Sequence, residues 1–206
     1  MTPDSPTMQR LLPISPGRRQ NLIHDAIALA AGGCTQLILR EPHRSRWELE
    51  QSLEELTQHL PGLILHATNI NAWRFAEIHR TGLHLPSHLD PAKWRKRFAG
   101  RLGISCHTLE EIQKAEAAQL DYVLISPIFS PISKPDSREM IGPEKATEFQ
   151  DQCRIKVFGL GGIHASNTLA CRDLYGVASM GYLFGKQTNR KRLTSRSAKL
   201  LSLLND

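Results

Sequence analysis

Apolar and polar positions along this chain follow two alternating periods. Short apolar runs of three to five residues recur at Leu11–Ile14, Gln36–Leu39, Leu63–Leu65, Gly82–Leu85, Leu102–Ser105, Tyr122–Ile125, Lys156–Leu160 and Gly176–Met180. Runs this short between turn signals read as buried strands. Stretches with helical spacing separate them: Arg19–Ala31, Ser45–His59, Asn71–His79, Pro91–Phe98, Leu109–Ala118, Pro143–Gln150 and Ser166–Asp173. A last helix is predicted over Arg190–Leu204, with Leu193, Leu200, Leu201 and Leu204 on one face. Two helix starts are signposted. Asp90 precedes a proline at the first helical position, and Thr108 followed by Glu111 spells a capping box.

Eight strands, each followed by a helix, predict a compact (β/α)8 barrel. An open doubly wound sheet is the alternative. Its glycine-rich phosphate turn would follow the first strand, where the chain instead reads Ser15-Pro-Gly-Arg18. Residues 1–9 are expected to be a disordered lead-in and residues 10–206 one domain.

Composition narrows the function classes. Of 206 residues, 40% are apolar and 22% charged, as in a soluble globular domain, and no run approaches a membrane span. The opening MTPDSPTMQR lacks the apolar centre of a signal peptide, so a cytoplasmic protein is expected. The four cysteines, Cys34, Cys106, Cys153 and Cys171, are scattered and form no paired motif, which predicts reduced thiols and no zinc site. The net charge of +6 is concentrated at one end: from Leu174 onward six basic residues face one acid, leaving about +1 for the other 173 residues. That places the basicity on the last helix and argues against a nucleic-acid partner.

In a barrel, chemistry gathers where strands end. The stretch Tyr122–Lys134 ends a buried strand in a proline-stiffened loop carrying Ser126, Ser133 and Lys134, groups suited to an anionic substrate. Gly161, Gly162, Met180 and Gly181 follow the seventh and eighth strands, where barrels commonly hold phosphate on backbone N–H groups. His66, His84 and His107 also fall at strand ends, at spacings that match no short metal motif.

Several segments, in order, carry a resemblance. Leu37-Ile-Leu-Arg-Glu41, Gly82-Leu-His-Leu85, Gly103 to Glu111, Asp121-Tyr-Val123, Ser126-Pro-Ile-Phe129 with Ser133-Lys134, Leu160-Gly-Gly-Ile163 and Gly176-Val-Ala178 together resemble the thiamine phosphate synthase and TenI (thiazole tautomerase) family. The resemblance implies a small barrel that handles hydroxyethylthiazole phosphate. Synthases of this family join it to an aminopyrimidine pyrophosphate with magnesium, releasing pyrophosphate. TenI-like members bind the thiazole phosphate, and some aromatise its tautomeric precursor.

By the same resemblance, Arg40 meets pyrophosphate, Ser105 is the serine closing the fifth strand, Ser133 and Lys134 belong to the pyrophosphate loop, and Gly162 holds the thiazole phosphate. Other family positions differ. The glutamine before the arginine is Ile38, the lysine after it is Pro42, and the Asn-Asp pair after the third strand is His66-Ala67. The second magnesium carboxylate is represented by Asp90, displaced by about one position, and the tautomerase histidine aligns with Pro127.

The sequence therefore favours a TenI-like member, with His66, Ser133 and Lys134 as catalytic candidates. Arg40, His84, Ser105, Ser126, Gly161, Gly162, Met180 and Gly181 are the substrate and phosphate ligands. The alternative is the magnesium-dependent synthase; a non-catalytic thiazole or thiamine phosphate carrier is a third reading. Oligomeric state is left open.

Overall fold

The computed structural model describes residues 7–17, 21–68, 72–130, 139–185 and 187–205; Ser133 and Lys134 lie outside them. Eight parallel strands, β1 (Leu11–Pro13), β2 (Gln36–Leu39), β3 (Gly62–His66), β4 (Gly82–Leu85), β5 (Leu102–Cys106), β6 (Tyr122–Ile125), β7 (Lys156–Leu160) and β8 (Gly176–Ser179), run in the order β1-β8-β7-β6-β5-β4-β3-β2. The seam between β1 and β2 closes through a parallel bridge from Ile14 to Ile38 and through the Gln36 amide, which donates to the carbonyls of Gln9 and Leu11 at 2.9 Å each. The outer helices are α1 (Leu22–Ala31), α2 (Arg46–His59), α3 (Ala72–Ile78), α4 (Pro91–Arg97), α5 (Leu109–Ala117), α6 (Pro143–Asp151), α7 (Gly181–Phe184) and α8 (Arg190–Asn205). This is the expected (β/α)8 barrel.

Strand parity sorts the apolar side chains into two cores, because successive strand residues face opposite sides. Leu12, Ile14, Ile38, Ile64, Tyr122, Leu124, Phe158 and Ala178 fill the barrel interior. Their neighbours Leu11, Leu37, Leu63, Leu83, Val123, Val157 and Val177 face outward into the layer under the helices. The floor is built from residues assigned above to the lead-in: Met8 is buried, and its carbonyl accepts from the Tyr175 hydroxyl at 2.6 Å. Arg10 ties β1 to the far end of the chain, donating to the carbonyls of Tyr175, Leu174, Arg172 and Leu204. The four leucines predicted for the last helix are all buried, together with Ser197.

Local chemistry moves some boundaries. Asp90 caps α4 as expected, accepting the N–H groups of Ala92 and Lys93. At α5 only half of the expected box forms: Thr108 accepts the Glu111 N–H at 3.3 Å, while the Glu111 carboxylate takes the N–H of His107 instead of Thr108. The helix expected over Ser166–Asp173 shrinks to a 3-10 turn, Thr168–Cys171. Here the Asn167 side chain joins the His164 N–H to the Gly162 carbonyl, and the Thr168 hydroxyl returns to the His164 carbonyl. Such local side-chain bonds compete with helix formation. Conversely α7, only four residues long, is too short for a periodic signal in the sequence.

Candidate functional site

The third to sixth strands set the polar side of the mouth. Their register aligns His66 with His84, His84 with Gly103, and Gly103 with Tyr122. Gly103 leaves open the space that the Tyr122 ring occupies; a Cβ there would lie 2.1 Å from the ring's Cζ. The tyrosine hydroxyl thereby reaches His84 Nδ1 at 3.0 Å, and His84 Nε2 reaches Ser105 Oγ at 3.0 Å. His84 is only 1% exposed, so burial drives its pKa well below the ordinary value and keeps the ring neutral. It orients the Ser105 hydroxyl while Tyr122 anchors it from below. Tyr122, read in the sequence only as the start of a strand, is thus part of the support. The signal for it was a glycine inside the neighbouring strand, which marks the close approach of another group.

His66 sits one place up the mouth, with its ring centroid 5.4 Å from that of His84. Its Nδ1 is buried and has no hydrogen-bond partner among the described residues. Burial and then the Arg40 cation push its pKa down to about 4. At neutral pH it is an uncharged ring with a vacant polar atom, suited to accept or donate one hydrogen bond from a bound molecule. The sign of the resulting pH dependence follows. An unfolded His66 takes up its proton near pH 6.5 and the folded one only near 4, so its contribution is complete above 6.5 and lost as the pH falls from 6.5 towards 4. The loss at the acid end is on the order of 2–3 kcal/mol. His66→Asn should remove about one proton's worth of this dependence, as measured by urea unfolding from pH 4 to 7; an unchanged slope would contradict the assignment.

Arg40 follows β2, held by its backbone: Ser15 Oγ accepts the Arg40 N–H at 2.9 Å. Its guanidinium, half-buried, makes no hydrogen bond or ion pair with the described residues. The next residue, Glu41, is buried, with Oε1 unpartnered among the described residues and Arg44 3.7 Å from the other oxygen. Burial raises its pKa, opposed by Ser15, Arg44 and the Gly17 N–H. The sequence placed Glu41 at a strand end without giving it a role.

The opposite side is backbone. The loop after β6 runs along the end of β7, with the Ile128 N–H on the Leu160 carbonyl and the Phe129 N–H on the Gly161 carbonyl. Gly161 and Gly162 have φ of +107° and +63°, values that favour glycine. A Cβ at Gly162 would meet the Ser130 carbonyl at 2.4 Å. The close approach these glycines permit is therefore first to the neighbouring loop, and substituting Gly162 would strain the fold as well as any ligand contact. The Ser126 carbonyl accepts from His107 Nδ1 at 2.7 Å. Met180 leads into α7 at Gly181 and packs against the interior core.

Among the described residues no magnesium site is assembled. Hard oxygen ligands are needed, yet position 67 is alanine, and Asp90 is engaged by the N–H groups of α4 and by Lys93 at 3.7 Å. His66 lies in the field of a cation. Among the described residues no three His, Cys, Asp or Glu converge. Cys106 is buried and its thiol is pushed up to about 12, an inert packing group. Among the described residues no helix is long and apolar enough to cross a membrane.

In sequence, the chain is similar to thiamine-phosphate synthases. Thiamine-phosphate synthase of Methanosarcina barkeri is 28% identical over 148 residues, covering 70% of this chain and 66% of that protein. Thiamine-phosphate synthase of Moorella thermoacetica is 31% identical over 143 residues, covering 66% of this chain and 67% of that protein. The matched stretches thus span about two thirds of those relatives' lengths. The solved structure of thiamine phosphate pyrophosphorylase from Pyrococcus furiosus superimposes with a TM-score of 0.81 at 18% identity, covering 95% of each chain, which shows the shared fold. Residues 11–181 match the thiamine monophosphate synthase family model, and the chain belongs to that family.

Proposed function

We propose that this protein is a thiamine phosphate synthase that joins hydroxyethylthiazole phosphate to an aminopyrimidine pyrophosphate. The preference for a TenI-like tautomerase gives way to its alternative. The observation that carries this choice is at position 127. The residue aligned with the tautomerase histidine is Pro127, whose carbonyl accepts the Ile141 N–H; it has no group that moves a proton. The curated relatives reported above bear the synthase name, which supports the same choice.

In the coupling a carbon–nitrogen bond forms as the carbon–oxygen bond to pyrophosphate breaks, and the electron pair leaves on the pyrophosphate. Charge grows there, so the chain's part is to place cations and donors around it. In this reading Arg40 meets the pyrophosphate, with Ser133 and Lys134 joining it from the loop after β6. Gly161, Gly162, Met180 and Gly181 border the thiazole phosphate through their backbone, and Ser126 closes the loop side. Ser105, oriented by His84, and the neutral His66 offer hydrogen bonds to the substrate rings. No step is assigned to magnesium or to Asp90.

Two assays separate the readings. Thiazole phosphate plus aminopyrimidine pyrophosphate should give thiamine phosphate, and the tautomeric thiazole precursor alone should aromatise only at the background rate. Aromatisation without coupling would restore the tautomerase. Saturable binding with neither reaction would make the protein a carrier.

A further inference from the structure

The hydrogens along Tyr122, His84 and Ser105 can be placed in order. Tyr122 is fully buried in the barrel interior among Leu12, Ile38, Ile64, Leu124 and Phe158, whose side chains hold no acceptor. Its hydroxyl has one hydrogen-bond partner among the described residues, His84 Nδ1 at 3.0 Å. Burial drives the phenol's pKa well above the ordinary value, so its proton stays on. Were Nδ1 the donor, that phenolic proton would be buried with nothing to receive it, the costlier arrangement. Tyr122 therefore donates to Nδ1, and the neutral ring carries its single proton on Nε2. Nε2 in turn donates to Ser105 Oγ at 3.0 Å. Ser105 is half-buried, and its own proton finds no acceptor among the described residues. That proton is left for a molecule in the mouth.

We propose that Tyr122 is a positioning residue: through His84 it fixes Ser105 as a hydrogen-bond donor, which selects an acceptor atom on the aminopyrimidine pyrophosphate. This rests on the synthase reading above. The aminopyrimidine partner is named because Ser105 shares the polar side of the mouth with His66 and His84, whose rings are 5.4 Å apart, and Arg40 acts on His66. The thiazole phosphate is assigned to the glycine backbone opposite. Acceptors on the aminopyrimidine partner are of two kinds, a ring nitrogen and the pyrophosphate oxygens. Donors aligned in one direction polarise each other, which strengthens the last of them.

NMR of isotope-labelled histidine rings in the intact protein reads the order directly, whatever reaction is catalysed. His84 should show a protonated Nε2 and a bare Nδ1; a proton on Nδ1 would overturn the proposal. The spectrum needs no variant, so it decides even where a substitution at Tyr122 unfolds the barrel. Calorimetric affinity for the aminopyrimidine pyrophosphate supplies the second test, with circular dichroism as the check on folding. Ser105→Ala should weaken binding about 10-fold and Tyr122→Phe about 5-fold. Added to Ser105→Ala, Tyr122→Phe should cost nothing further, since it acts only through that hydroxyl. An equal loss in both backgrounds is what a merely structural role gives, and it would overturn the proposal. Inorganic pyrophosphate and the aminopyrimidine alcohol, titrated separately, identify the acceptor: the one weakened by Ser105→Ala carries it, and a loss with neither overturns the donor role. The expected spectrum and cycle without any coupling would remove the synthase reading and uphold this one. A wild type that does not bind the aminopyrimidine pyrophosphate would overturn both.

Discussion

Replacing Arg40 with methionine should lower kcat/KM for coupling by roughly 10²–10³-fold, the usual cost of losing one preorganised group at a developing charge. The midpoint of unfolding should not fall. Arg40 is anchored through its backbone N–H to Ser15, and its guanidinium has no partner among the described residues. It is a cation held half-buried at the mouth with no partner among the described residues, and its folding role is small. The same substitution should raise the pKa of His66, since the arginine is one of the two causes that depress it. Arg40→Lys should recover part of the rate, because a point charge lacks the guanidinium's planar fork. A methionine variant within about threefold of wild type would remove Arg40 from the pyrophosphate site.

The second large effect is structural. Gly103→Ala places a Cβ 2.1 Å from the ring of the fully buried Tyr122. Overpacking of this kind costs about 3 kcal/mol, a fall in Tm of about 10 °C for a domain of this size. Shrinking the neighbour, as in Gly103→Ala/Tyr122→Leu, should recover part of it. Tyr122→Phe alone leaves Nδ1 of His84 without its partner and should cost about 1–3 kcal/mol. An unchanged Tm in Gly103→Ala would mean that the interior does not hold the ring where the register places it.

The strands were legible because parity and apolar content agree at each one. Gln36–Leu39, Gly82–Leu85, Tyr122–Ile125 and Lys156–Leu160 appear with the bounds read from the sequence. The failures have local causes. Asn167 and Thr168 spend their side chains on the backbone around His164, so helical spacing there does not become a helix. Met8 joins the core only because the barrel floor brings Tyr175, distant in sequence, against it. The site divides in the same way. The position of Arg40 at a strand end could be read from spacing. That His84 supports Ser105 and is closed to solvent depends on a ring reaching across from β6, of which the one-dimensional pattern holds only the glycine at 103.

The central claim is that this mouth catalyses coupling and does more than hold a phosphate. The most direct measurement is multiple-turnover formation of thiamine phosphate by the purified chain, with thiazole phosphate, aminopyrimidine pyrophosphate and magnesium supplied and pyrophosphate release followed in parallel. Product exceeding the enzyme many times over, matched mole for mole by pyrophosphate, is the expected result. Binding of thiazole phosphate with no product above the enzyme-free background would contradict it.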